Sequence, residues 1–130
     1  MRTTTEQLPG LTLTNITLDA PLDNAVPSAG TIEVFARVVT AEGGEALPYL
    51  VFLQGGPGHE AGRPTPTNPP WLARALQDFR VVLLDQRGTG RSTPVSSPMA
   101  APLAGLSAAE QATYLTHFRA DEIVNDCELF

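Results

Sequence analysis

An α/β architecture is predicted from three features of the 130-residue sequence. Two segments alternate apolar and polar residues, two others are almost continuously apolar, and a segment of helical period separates the latter pair. Residues 11–18, LTLTNITL, and 31–40, TIEVFARVVT, are the alternating segments. In the second, Ile32, Val34, Ala36 and Val38 share a face, so both segments read as half-buried strands. Turn-forming residues 20–30, APLDNAVPSAG, make an antiparallel pair of them. A second loop, AEGGEA at 41–46, follows. Leu47 to Leu53 and Val81 to Leu84 are the apolar runs, the pattern of strands buried on both faces in a parallel sheet. Between them Trp71, Leu72, Ala75, Leu76 and Phe79 form one helical stripe. Asn68 is the expected cap and Pro69 the first helical residue. Strand, helix and strand make a βαβ unit with a right-handed crossover.

Beyond residue 91 the Ser/Pro/Ala stretch STPVSSPMAAPLAG reads as loop. Ser107 and Glu110 have capping-box spacing and open a helix to about Thr116. Another helix is expected from about Asp121, with Ile123, Val124, Cys127 and Phe130 on one side and no stop signal before the last residue.

Composition narrows the function classes. Apolar residues make up 42% and charged residues 17%, which is ordinary for one globular domain. The net charge is −6 and the basic residues are scattered, so no stripe faces a nucleic-acid backbone. The single Cys127 forms no intrachain disulfide and reads as a small buried apolar residue, and it and two histidines show no metal-ligand spacing. No segment approaches the roughly 20 apolar residues that span a bilayer, and MRTTTEQLPG is no signal peptide, so the expectation is a soluble cytoplasmic protein.

Two loops carry chemistry, each at the expected carboxyl end of a buried strand, where open α/β sheets bind ligands. They are QGGPGHEAGRP at 54–64 and DQRGTGRSTP at 85–94. Gly56 to Ala61 matches a dinucleotide fingerprint formally, but Pro64, Pro66, Pro69 and Pro70 occupy the helix that motif needs. Gly90-Arg91-Ser92 fails as a phosphate loop, lacking its glycine at Asp85 and its lysine at Arg91. A glycine-rich loop also suits acyl transfer, because close backbone N–H groups stabilise the oxyanion of a tetrahedral intermediate. Pro57 offers no N–H but stiffens the loop, and the Gly56–Pro57 bond is a candidate for the cis form.

Together LVFLQGGPG and VVLLDQRGTGRSTP resemble the prolyl aminopeptidase (proline iminopeptidase) family of α/β-hydrolases. HFRADEIVNDCE at 117–128 resembles the segment preceding that family's nucleophile elbow, so the likeness covers roughly residues 11–130. Gln54 stands where the family usually has histidine. The resemblance implies the N-terminal half of an α/β-hydrolase fold, an antiparallel strand pair leading into a mostly parallel sheet with flanking helices, as one partial domain over 1–130. It implies that Gly56 gives one oxyanion-hole N–H and that Gln54, Gly55, Pro57 and Gly58 shape the loop. Asp85, Gln86, Arg87 and Gly88 would buttress it, with Asp85 and Arg87 expected as an ion pair ordering two loops. Gln54 is read as a loop brace or a substrate contact, and His59 and His117 as structural.

An α/β-hydrolase needs a G-x-S-x-G elbow, then an acid, then a histidine. Ser92, Ser96, Ser97 and Ser107 lie in loops or at a cap, so nucleophile, acid and base are expected outside this chain. The implied activity is hydrolysis of N-terminal proline from peptides, without cofactor or metal. Another α/β-hydrolase, such as an esterase or epoxide hydrolase, and a non-catalytic truncated fragment are the alternatives. The family's sheet order leaves the 47–53 strand with an open edge, so self-association is expected.

Overall fold

A computed structural model describes residues 1–65 and 67–130, so Pro66 of the proline series above lies outside the described residues. Among the described residues the sheet has five strands: β1 (Arg2–Leu8), β2 (Leu11–Pro21), β3 (Thr31–Ala41), β4 (Tyr49–Leu53) and β5 (Arg80–Asp85). Their spatial order is β1-β2-β3-β5-β4. β1, β2 and β3 form an antiparallel meander, and β3 also pairs antiparallel with β5. Only β4 and β5 run parallel, from Tyr49↔Arg80 to Leu53↔Leu84. Within this chain the sheet is therefore mixed rather than mostly parallel, because only the β4–β5 connection is a helical crossover.

Two strands exchange their expected burial. β3 was expected half-buried but is covered on both faces, since it lies in the middle of the sheet. Ile32, Val34, Ala36 and Val38 join Val82 and Leu84 in one core cluster. Val39 joins Leu13, Val81, Leu83, Leu72 and Leu76 in the other. β4 is the outer strand, as its expected open edge requires, but it is not buried on both faces as expected: Tyr49, Leu50, Val51 and Leu53 are 37–50% exposed. Its free side has no strand among the described residues.

Among the described residues three α-helices flank the sheet: α1 (Pro70–Ala75), α2 (Ala108–Leu115) and α3 (Ala120–Cys127). α1 is shorter than its apolar stripe, and turns carry the chain from Leu76 to β5. Leu72 and Leu76 face the sheet, whereas Trp71 is 41% exposed and stacks on Phe52 of β4 at 4.4 Å between ring centroids. Pro69 is the cap and Pro70 opens the helix; Asn68 instead accepts a hydrogen bond from Thr65 N–H through its side chain, 3.0 Å. α2 has the full capping box between Ser107 and Glu110. α3 ends at Cys127 with Glu128 as its cap, and Phe118, Cys127 and Phe130 pack on the cluster that holds Ile32 and Val34. Val124, expected on that apolar side, is 54% exposed, while the acidic Glu122 and Asp126 are buried. No helix among the described residues is long and apolar enough to cross a membrane.

Candidate active site

β4 and β5 are parallel neighbours, so the loops after them open at the same end of the sheet. The first is the exposed turn Gly55–Gly58. Gly56 has φ 131°, a conformation side-chain-bearing residues rarely adopt, and a Cβ there would approach the Gly58 nitrogen to 3.3 Å. No peptide bond among the described residues is cis, so the Gly56–Pro57 bond is trans and the turn is made by Gly56 instead. Gln54 is held through its main chain: its carbonyl accepts a 2.7 Å hydrogen bond from Gln86 Nε2. Gln86 thereby links the loop after β4 to the loop after β5. A hollow of about 530 Å³ lies beside this turn, walled by Leu53, Gly56, Pro57, Phe118, Ile123 and Val124. His59 is exposed in the same loop.

Asp85 closes β5 and is 4% exposed. Its two oxygens accept from the backbone N–H groups of Ala61, 3.1 Å, and Arg91, 3.0 Å, so one carboxylate spans both loops. Burial pushes this carboxyl above its ordinary range, against the pull of the two amides and of Arg37. Gly90 has φ 50°, and a Cβ there would run into the Asp85 carboxylate and Glu60.

Asp85 and Arg87 do not pair with each other. Arg87 turns to the opposite face, where its side chain is wholly buried and uses all five N–H donors. Nε and Nη2 donate to the Asp126 carboxylate at 2.8 and 2.6 Å. Nη1 donates to the carbonyls of Leu22 and His117, and Nη2 also to that of Pro21. One guanidinium thus fastens the β5 loop to the β2 end, the turn before α3 and α3 itself. Burial pushes the Asp126 carboxyl up, opposed by the Arg87 hydrogen bonds. Glu122 lies 3.8 Å from Arg87 Nη1. Burial would raise its carboxyl, but hydrogen bonds from Asn24 and Asn125 and the Arg87 charge hold it below the usual range.

Three residues here escaped sequence reasoning. Asp126 reads as a solvent-facing helical acid, because its partner is 39 positions away. Ser92, read as a loop serine, is fully buried; its hydroxyl donates to Asp85 O and accepts from Phe35 N–H. Thr93 repeats the device on Glu33, 2.9 Å from its amide. These hydroxyls continue the β3 ladder beyond the end of β5, and no periodicity signals that.

Asp23, His117 and Glu122 place ligand-type atoms within 4.8 Å of one another, a grouping their sequence positions do not suggest. Three of their four carboxylate oxygens are already engaged: Glu122 accepts from Asn24 through both oxygens, and Asp23 Oδ1 from Ala25 N–H at 2.8 Å. The adjacent Arg87 cation also opposes a bound metal ion. Cys127 is half-buried, and its Sγ donates to Ile123 O. Burial and the Asp126 charge push its thiol up, away from the reactive thiolate.

No protein-family model matches the chain. Among curated proteins it is similar to a proline iminopeptidase of Aeromonas sobria, 51% identical over 112 residues covering 84% of this chain. It is also similar to the proline iminopeptidase aneH of Aspergillus aculeatus, 40% identical over 114 residues covering 85% of this chain. The chain spans about a quarter of the length of both relatives, 25% in each case. The identities run over most of this chain, and the mixed sheet leading into a βαβ unit is compatible with an N-terminal portion of an α/β-hydrolase of the proline iminopeptidase kind.

Proposed function

We propose that these residues form one partial α/β-hydrolase domain, the oxyanion-side portion of a cytoplasmic serine aminopeptidase that hydrolyses N-terminal proline from peptides. The 51% identity to a proline iminopeptidase carries this reading. Gly56 contributes one N–H to the oxyanion of the tetrahedral intermediate, and Gln54, Gly55, Pro57 and Gly58 set the path of the loop. Asp85 and Gln86 hold that loop against the β5 loop, and Arg87 and Gly88 fix the β5 loop from behind. A fixed donor needs no reorganisation when charge develops. Nucleophile, acid and base come from polypeptide outside these 130 residues, so the chain alone is inactive.

The test is complementation. The 130-residue chain alone is expected to give no turnover of proline 4-nitroanilide. Co-expressed with the remaining three-quarters of the Aeromonas sobria enzyme, it is expected to restore turnover. Gly56→Ala in that complex should lower kcat on the order of 100-fold, because the donor is re-aimed. Robust turnover by the chain alone would overturn the assignment of the missing nucleophile. Activity of the complex on esters but not on proline anilides would transfer it to another hydrolase class.

The exposed apolar β4 edge favours a second property, self-association of the chain through that strand. Val51→Lys is expected to return the sedimentation profile to monomer; an unchanged profile would place the contact elsewhere.

A further inference from the structure

On the α1 side of the sheet lies a cleft of about 520 Å³ that the proposed chemistry does not use. Phe35, Arg37, Glu60, Arg63, Asp85 and Arg91 line it. Arg37 projects from the middle of β3, opposite Asn15 of β2, and is only 7% exposed. Its Nε donates to Asn15 Oδ1 at 2.9 Å. Its two terminal nitrogens have no hydrogen-bond partner among the described residues, and they belong to a side chain that walls the cleft. Arg91 lies with its guanidinium carbon 3.9 Å from the centroid of the Phe35 ring, and that of Arg37 is 5.4 Å from the same centroid.

Two cations converging on one ring repel each other, and neither is in an ion pair among the described residues. Burial is the first cause that lowers the Arg37 value, followed by the charge of Arg63, with Asp85 opposing and Arg91 adding to the fall. The carboxylates nearby are committed. Both Glu6 oxygens hold Arg63, at 2.5 and 2.7 Å, and both Asp85 oxygens hold backbone amides. Glu60 is exposed to solvent at the rim. Setting the neutral Arg63–Glu6 pair aside, Arg37 and Arg91 face Asp85, whose oxygens are held by amides, and Glu60 at the solvent rim, so the unpaired donors rather than a net charge distinguish the cleft.

We propose that this cleft is a binding site for a single carboxylate, held between the terminal nitrogens of Arg37 and the guanidinium of Arg91. Arginine's forked donors match a carboxylate's two oxygens, and the Arg37 fork, held at Nε by Asn15, keeps its terminal nitrogens open to the cleft. A doubly charged oxyanion suits the site less, because its second charge faces Asp85. The proposal does not depend on the peptidase reading.

The test is an NMR titration of the 130-residue chain, following the Arg37 and Arg91 Nε–Hε resonances at constant ionic strength. Sodium acetate, a short N-acetylated peptide with a free C-terminus, the same peptide as its amide, phosphate and chloride are the probes. Saturable shifts with acetate and the free-acid peptide, weaker with phosphate and none with the amide or chloride, are expected. Tighter binding of the peptide assigns the carboxylate to a peptide terminus, and tighter binding of acetate assigns it to a small acid. Arg91→Met, on the exposed rim, should weaken binding about tenfold or more while leaving the fold intact. Arg37→Met, which keeps the buried alkyl stem, should do the same. No saturable shift, an equal response to chloride, or undiminished binding by Arg91→Met would overturn the proposal.

Discussion

Replacing Asp126 by alanine removes the only carboxylate that hydrogen-bonds the buried Arg87 side chain among the described residues. Two charge-assisted hydrogen bonds, at 2.8 and 2.6 Å, are lost together. Each is worth about 1.5–3 kcal/mol, and removing one partner of a buried ion pair costs about 3–5 kcal/mol. Glu122 at 3.8 Å keeps part of the compensating charge, so the lower half of that range, about 3–4 kcal/mol, is expected. Domains of this size are stable by about 5–15 kcal/mol, so the loss is a large fraction. With a urea slope near 2 kcal/mol/M, the unfolding midpoint should fall by about 1.5–2 M, followed by circular dichroism and Trp71 fluorescence. The double variant Arg87→Met with Asp126→Leu should recover only part of this. Replacing a buried pair by apolar groups is often neutral, but here the carbonyls of Pro21, Leu22 and His117 lose their donors. An Asp126→Ala variant within about 1 kcal/mol of the parent, or a double variant as stable as the parent, would refute the five-donor account.

Other perturbations isolate other parts. Gly90→Ala drives a methyl group against Asp85 and Glu60 and should cost about 2–4 kcal/mol, with faster amide exchange at Ala61 and Arg91 as its local signature. Ser107→Ala removes half of the capping box and should cost about 1 kcal/mol, read as reduced exchange protection confined to α2. Glu122 gives a pH dependence. Its folded value lies below the ordinary 4.5, so its contribution is present above that value and is lost as pH falls through the folded one. The difference in urea midpoint between parent and Glu122→Gln should therefore narrow below about pH 4.5; a constant gap from about pH 7 to pH 3 would contradict this.

The sequence made four strands and three helices legible because each carries an apolar run or stripe or starts at a recognisable cap. β1 escaped because RTTTEQL is an exposed edge strand with almost no apolar face. The apolar run in β4 told strand from helix but not burial, since an apolar strand reads alike beside a neighbour or at a free edge. The glycine loop was readable because its backbone demands leave residue types behind, above all at Gly56. What fixes the two loops was not. The Asp85 carboxylate binds amides, which have no sequence signature, and Arg87 finds its carboxylate across 39 residues.

The Arg87 contacts have a consequence for the order in which the chain folds. Its partners stand 30, 39, 65 and 66 residues away, and none is local. Each contact must wait until a long loop has closed, and loop closure is the slow entropic part of folding. The β1–β2–β3 meander needs no such wait, because its strands follow one another directly. Arg87 therefore acts as a late latch: its loss should leave the folding rate nearly unchanged and appear almost wholly as faster unfolding. The residue behind the β5 loop sets how long the assembled state lasts more than how quickly it forms.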